Sequence, residues 1–264
     1  MNIFFRELKA NLKSLIIWGG IVMLFVVIGT SKFSAYEGNP EMLAILDEMP
    51  PAMLNAFNMA AFNLTTISGF FGVMFTYFAL IASISAAMWG SDIISKEERD
   101  KTVEFSLTLP VTRSRVVTAK TLAALVNCIG LLLIIWGASL ASTAQYQPDS
   151  EFYTFLSLSM VAMFIMQLIF LSIGIFLGCA MKQYRRASSV AVSLLLGTYF
   201  LSIISGLHEN LEFLKYFSPF KYFDASMLLR ESKLDLTYVW ISVGIIAVSM
   251  VGAYLTYARR DLYI

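Results

Sequence analysis

The sequence predicts an all-α membrane protein with six transmembrane helices, and three observations predict it. Of 264 residues, 58% are hydrophobic and only 14% are charged, whereas soluble domains carry about a quarter charged residues and under half apolar ones. Apolar runs able to cross a hydrocarbon core recur at 14–31, 67–90, 117–143, 153–180, 187–206 and 236–257. The basic residues are unevenly shared: of 19 lysines and arginines, fourteen fall in segments on one side of these runs and five on the other. Basic residues mark the cytoplasmic side, so both termini are expected inside. The net charge of +1 carries little beside that distribution. Internal repeats and separately folding soluble segments are absent, so residues 1–264 read as one transmembrane domain.

In chain order, residues 1–13 place Phe4, Leu8 and Leu12 at helical spacing beside Arg6, Lys9 and Lys13, the pattern of an N-terminal interfacial helix on the cytoplasmic face. The run at 14–31 is long for a signal peptide and lacks an A-x-A cleavage site, so it reads as an uncleaved first span. Residues 32–48 hold Glu37, Glu41, Asp47 and Glu48 against one lysine, an external loop by the same charge rule. Residues 49–91 carry no charge. As one helix they would reach roughly 65 Å, about twice a bilayer core, so the helix must break. Pro50 and Pro51 mark a start, and Asn55, Asn58, Asn63 and Gly69 interrupt the first half. A short external helix is expected near 51–62, before the second span.

The third span precedes a short acidic turn at 145–151, read as external. The fourth contains Gly174 and Gly178, a G-x-x-x-G. That spacing lets membrane helices approach closely, within or between protomers, and also occurs as an ordinary pair of membrane glycines. Lys182, Arg185 and Arg186 form a basic, cytoplasmic turn before the fifth span. Residues 208–235 are mixed in charge and rich in aromatics, with Phe213, Tyr216, Phe217, Phe220, Tyr222 and Phe223 around Pro219. Such residues favour the membrane boundary. They predict two short external helices before the sixth span, either anchoring at the interface or acting as an outer gate.

Ten charges crowd residues 91–115: Asp92, Lys96, Glu97, Glu98, Arg99, Asp100, Lys101, Glu104, Arg113 and Arg115. Each would cost roughly 2.5–3.5 kcal/mol at a bilayer centre. The segment therefore lies at the membrane surface, held between two spans, where a soluble partner can reach it. Val103 and Leu107 are four apart, as a helix face requires. Val103, Phe105, Leu107 and Leu109 also alternate as a strand would.

Several chemistries lack their residues. There is one histidine, no H-E-x-x-H and no G-x-S-x-G, so neither catalytic nor metal-binding residues are assigned. Cys128 and Cys179 fall inside apolar runs, which points to free thiols rather than a disulfide framework. The six spans contain one charged side chain, Lys120, near the inner end of the third. An ion-driven carrier usually places ionisable groups deeper. Asn127 and Gln167 are expected to bond across helices. No P-loop is present, so any ATP must bind another polypeptide. A gradient-driven carrier and a non-transporting scaffold or immunity protein remain as alternative classes.

The charged segment reads Glu97-Glu98-Arg99-Asp100-Lys101-Thr102-Val103-Glu104, five apolar or small residues, then Pro110-Val111-Thr112-Arg113. Further on stands Leu214-Lys215-Tyr216-Phe217-Ser218-Pro219-Phe220-Lys221-Tyr222-Phe223, and near the end Arg259-Arg260-Asp261-Leu262. In these motifs and in its layout the whole chain resembles the ABC-2-type permeases, membrane subunits of bacterial ABC exporters. It departs from many members in Lys101, where they have glycine. The resemblance implies two permease protomers, identical or different, in the bacterial plasma membrane with two copies of an ABC ATPase. ATP and Mg would sit in that partner, with no cofactor in this chain and no nucleic acid. Residues 92–115 would contain a coupling helix docked on the ATPase, through Glu97, Glu98, Arg99, Lys101, Thr102, Glu104, Leu107 and Arg113. The cargo expected with the apolar spans is amphipathic or lipid-like, such as an antimicrobial peptide or a drug.

Overall fold

The computed structural model describes residues 3–39, 41, 48–50, 53–54, 59, 61–99, 111–207 and 209–259. Six helices are long and apolar enough to cross a membrane. They are α1 (Ile3–Ser31), α2 (Ile67–Arg99), α3 (Arg113–Thr143), α4 (Ser150–Ala180), α5 (Tyr184–Ser205) and α8 (Leu236–Arg259). Between α5 and α8 lie a 3-10 helix (Glu209–Phe217) and the short helices α6 (Pro219–Tyr222) and α7 (Ala225–Glu231). Among the described residues there is no strand.

Polar residues at the edges of the apolar runs start the helices. Thr112 accepts from the Arg115 amide at 3.3 Å, Asp149 from the Phe152 amide at 2.8 Å, and Asp235 from the Thr237 amide at 2.8 Å. Each satisfies an amide that the first helical turn leaves open. At the start of α2, Asn63 Oδ1 accepts from the Thr65 amide and hydroxyl, and Thr66 Oγ1 accepts from the Gly69 amide. Gly69 is required there, because a Cβ would lie 2.0 Å from the Asn63 carbonyl oxygen. The helix break expected in residues 49–91 is thus a turn at 63–66 followed by α2. The external helix expected at 51–62 falls mostly outside the described residues.

Two long helices differ from the apolar runs that predict them. Residues 3–13 are not a separate interfacial helix, since α1 continues from Ile3 to Ser31. Its buried side in that first part is polar, formed by Glu7 and Asn11, while Leu12 is exposed. Likewise α2 does not stop where its apolar run ends but continues to Arg99. A helix of 33 residues is about 50 Å long, well beyond a hydrocarbon core of about 30 Å.

The most extensive packing is between α2 and α4, followed by α1 on α3, α8 on α4 and α5 on α2. Helix α4 forms the centre, with Phe152, Leu156, Met163, Ile169, Phe170 and Ile175 fully buried. Contacts along the bundle fix which helix ends lie together. Glu7 of α1 meets Lys96 of α2, and Arg113 at the start of α3 meets the last turn of α8. Both described chain ends therefore share one end of the bundle with the last turns of α2 and the start of α3. At the opposite end Phe33 packs on Phe70 and Tyr146, and Phe71 on Phe152.

Candidate functional site

The part of α2 beyond its apolar run is held on four sides. From α1, Glu7 places Oε2 2.5 Å from Lys96 Nζ, with side-chain exposures of 1% and 15%; Arg6 reaches the other carboxylate oxygen at 3.2 Å. From α3, the fully buried Lys120 donates to the Ile93 carbonyl at 2.7 Å. From α5, the Ser188 hydroxyl meets that of Ser91 at 2.8 Å, and lower on α1 Ser14 accepts from Trp89 Nε1 at 2.8 Å.

From α4 comes backbone contact. A Cβ at Gly174 would lie 2.5 Å from the Ala87 carbonyl oxygen, one at Gly178 2.9 Å from the Ser91 carbonyl oxygen, and one at Gly90 2.4 Å from the Leu171 carbonyl oxygen. The glycine pair of the fourth span thus faces the second span of the same chain. These three glycines let α2 and α4 touch at the level where α2 leaves its apolar run.

The sequence-selected coupling residues divide. Glu97, Glu98 and Arg99 form the last residues of α2. Lys101, Thr102, Glu104 and Leu107 lie outside the described residues. Arg113 is the first residue of α3, and its guanidinium donates to the Tyr257 and Ala258 carbonyls of α8 at 3.2 and 3.3 Å. A cation there satisfies carbonyls that the helix end leaves open. Thr118 and Tyr254 add a hydroxyl contact of 2.7 Å along the same pair of helices.

The aromatic segment before α8 also divides. Phe213, Tyr216 and Phe217 are exposed, whereas Pro219, Phe220 and Tyr222 are buried. Phe220 packs on Phe170 of α4 and Tyr199 of α5, and Tyr222 stacks on Tyr238 of α8 at 5.1 Å. The Tyr222 hydroxyl donates to the Tyr216 carbonyl, and Ser218 donates to the Thr198 carbonyl of α5. Three long helices hold the segment through these contacts. Asp224 caps α7 through Ser226 and pairs with Lys221 at 3.0 Å. Burial alone would raise the Asp224 carboxyl, but the nearby Lys221 ammonium and the Ser226 bonds outweigh it and hold the group below its ordinary value.

Two polar features were not legible beforehand. The Glu7/Lys96 pair had a faint signal, since Glu7 is the one acidic residue in a basic N-terminal segment. Asn127 and Gln167, expected to bond across helices, are fully buried without a hydrogen-bond partner among the described residues.

Residues 1–262 match the family model described as ABC-2 family transporter protein. The chain belongs to that family. Among curated proteins none matches it. It is therefore a multi-pass membrane permease of an ABC transporter, a membrane component that is not itself catalytic and whose family associates with an ABC ATPase.

The permease's Glu7/Lys96 pair yields a stability prediction. Breaking a buried ion pair from one side strands the other charge and costs about 3 kcal/mol, less where the survivor reaches water. Glu7→Gln should cost about 2 kcal/mol, and Glu7→Gln with Lys96→Met should recover at least about 1 kcal/mol of it. Thermal unfolding in maltoside micelles measures both, and strictly additive effects would mean the two side chains do not interact.

Proposed function

We propose that this permease is the membrane subunit of an ATP-driven exporter in a bacterial plasma membrane, moving an amphipathic or lipid-like compound outward. Two permease protomers, alike or different, assemble with two ATPase subunits that hold ATP and Mg. Both termini and residues 92–115 face the cytoplasm, and the charged segment carries the coupling helix that docks on the ATPase. The aromatic segment before α8 lies outside.

The observation that carries this reading is the continuity of α2. One helix runs from the far end of the bundle at Ile67, through the apolar run, to Glu97, Glu98 and Arg99. A push on the charged segment is therefore delivered along a rigid rod, and rigid-body motion of packed helices is an established way to switch access. The contacts of α2 with α4 and α5 favour these three moving together. The family match and the six apolar helices support the membrane and ATPase parts of the reading.

The test is reconstitution of the permease with an ATPase encoded beside its gene, in sealed vesicles loaded with a fluorescent amphipath. Movement that requires ATP and survives collapse of proton and sodium gradients is the expected result. Movement that follows an ion gradient without ATPase would replace this reading with a gradient-driven carrier. The absence of any ATPase in a pull-down from membranes would favour a scaffold.

A further inference from the structure

Two cavities lie at the end of the bundle opposite the chain termini, and one ion pair separates them. The inner cavity, about 220 Å³ and open to solvent, is bordered by α2, α4, α5, α6 and the start of α7. Phe75, Phe220 and Phe223 give it an apolar wall; Thr76, Tyr199 and Ser202 give it hydroxyls. The outer cavity, about 670 Å³, lies between the 3-10 helix, α7 and the start of α8. Lys221 and Asp224 line both.

The outer cavity is lined by three ion pairs and one further carboxylate, Asp235. Glu212 and Lys215 meet at 2.6 Å, Glu231 and Lys233 at 3.2 Å, and Lys221 and Asp224 at 3.0 Å. The last pair is the most enclosed, with side-chain exposures of 29% and 17%. Neither member is saturated. Among the described residues Lys221 Nζ makes one hydrogen bond, to Asp224 Oδ2, leaving two of its three donor hydrogens. Asp224 Oδ1 accepts from the Ser226 amide and hydroxyl, which leaves Oδ2 a further acceptor position.

A ligand carrying only a positive charge would satisfy Asp224 but crowd Lys221 with a like charge. A ligand carrying only a negative charge would do the reverse. A group with both charges a few ångströms apart replaces each half of the pair at once, so neither half-buried charge is stranded. The inner cavity is also smaller than the roughly 300–1,000 Å³ of sites for drug-sized molecules, so it suits a headgroup rather than a whole lipid or peptide.

We propose that the Lys221/Asp224 pair and the inner cavity form a binding site for a zwitterionic group, an ammonium and a phosphate or carboxylate on one short frame. Lys221 takes the anion, Asp224 takes the ammonium, and carbon atoms beside them rest on Phe75, Phe220 and Phe223. The group arrives through the outer cavity, whose lining carries both signs and one more carboxylate than ammonium groups. The source is either a phospholipid headgroup or a free zwitterionic solute. The proposal rests on the transport reading only for the idea that this ligand is cargo; binding stands apart from it.

The test measures equilibrium binding without ATPase, so a failed transport assay and a failed binding assay remain distinguishable. The full chain in maltoside micelles is titrated by native mass spectrometry with dihexanoyl phosphatidylethanolamine and with dihexanoyl phosphatidylglycerol, which lacks the ammonium. The expected result is a preference for the ethanolamine lipid of at least about tenfold, the scale of one charge-assisted hydrogen bond. Asp224→Asn and Lys221→Gln should each remove the preference; asparagine caps α7 as well as aspartate does, so folding is preserved. Ala61→Trp, on an exposed turn at the inner cavity's edge, should weaken binding by plugging the space without entering the packed core. Displacement by phosphoethanolamine would support the site and identify a free solute as sufficient; no displacement, with lipid binding intact, would support it as a lipid site. Equal affinity for the two lipids, or a preference that survives all three substitutions, overturns the proposal.

Discussion

Replacing Gly174 with alanine is expected to destabilise the permease by about 2–3 kcal/mol, the upper range for overpacking a close-packed interior. The added methyl would sit 2.5 Å from the Ala87 carbonyl oxygen and 3.1 Å from the Ser91 amide nitrogen. Both are backbone atoms of α2, so no side chain can turn aside and the two helices must separate. Separation also opens the contacts at Gly90 and Gly178, which lie along the same seam. Gly137→Ala is the matched control, because a Cβ there meets nothing within 4 Å. It should be neutral or stabilising by up to about 1 kcal/mol, through helix propensity alone. Thermal unfolding in maltoside micelles compares the two variants. If Gly174→Ala unfolds at the same temperature as Gly137→Ala, the seam between α2 and α4 is not closed as described. Gly174→Val should be worse still, with most of the protein lost from the monodisperse fraction.

The reason this pair was only half legible in the sequence is physical. Spacing says that two glycines share a helix face, and it says nothing about which helix faces them. Gly174 and Gly178 could equally have met a second protomer; Gly90, with no second glycine four residues away, gave no pattern to match them with. The six apolar helices were legible because hydropathy depends on composition over some twenty residues, which bilayer thickness sets. Their ends were less so. Residues 3–13 and 91–99 carry charges, and charge reads as a boundary unless its partner is known. Glu7 on α1 answers Lys96 on α2, and Lys120 on α3 answers a backbone carbonyl of α2, so these charges continue the helices rather than end them. Arg113 is a similar case. Its motif points outward to a partner, yet its guanidinium lies on the last carbonyls of α8. The aromatic segment at 213–222 split for a related reason: Phe220 and Tyr222, after Pro219, turn inward onto α4, α5 and α8, while Phe213, Tyr216 and Phe217 stay exposed, Tyr216 with its ring near Tyr238. The ion pair of Lys221 and Asp224 has ordinary i, i+3 spacing, and only the cavities on either side of it single it out.

Reversing Glu97 and Glu98 together to lysine is expected to abolish co-purification with the ATPase while membrane insertion and thermal stability stay near the parent values. Removing or reversing a charge in a docked interface costs about 2–5 kcal/mol per desolvated pair, more than enough to lower affinity by over a hundredfold. The substitution adds two positive charges beside Lys96 and Arg99, so the end of α2 would present one sign where it now presents both. Folding should survive, because Ile93, Ser91, Gly90 and Lys96, all left in place, hold this part of α2 against its neighbours. Stability therefore serves as the internal control: a variant that keeps its unfolding temperature and loses its partner has lost docking alone. Glu7→Gln separates the next step, since it leaves the docking residues intact and removes the ion pair that fastens α1 to the end of α2. That variant should still bind the ATPase but couple hydrolysis to transport less tightly, if α1 moves with the rod it is fastened to. Unchanged co-purification after reversal of both glutamates would remove the end of α2 from the docking surface, and would shift attention to residues beyond Arg99.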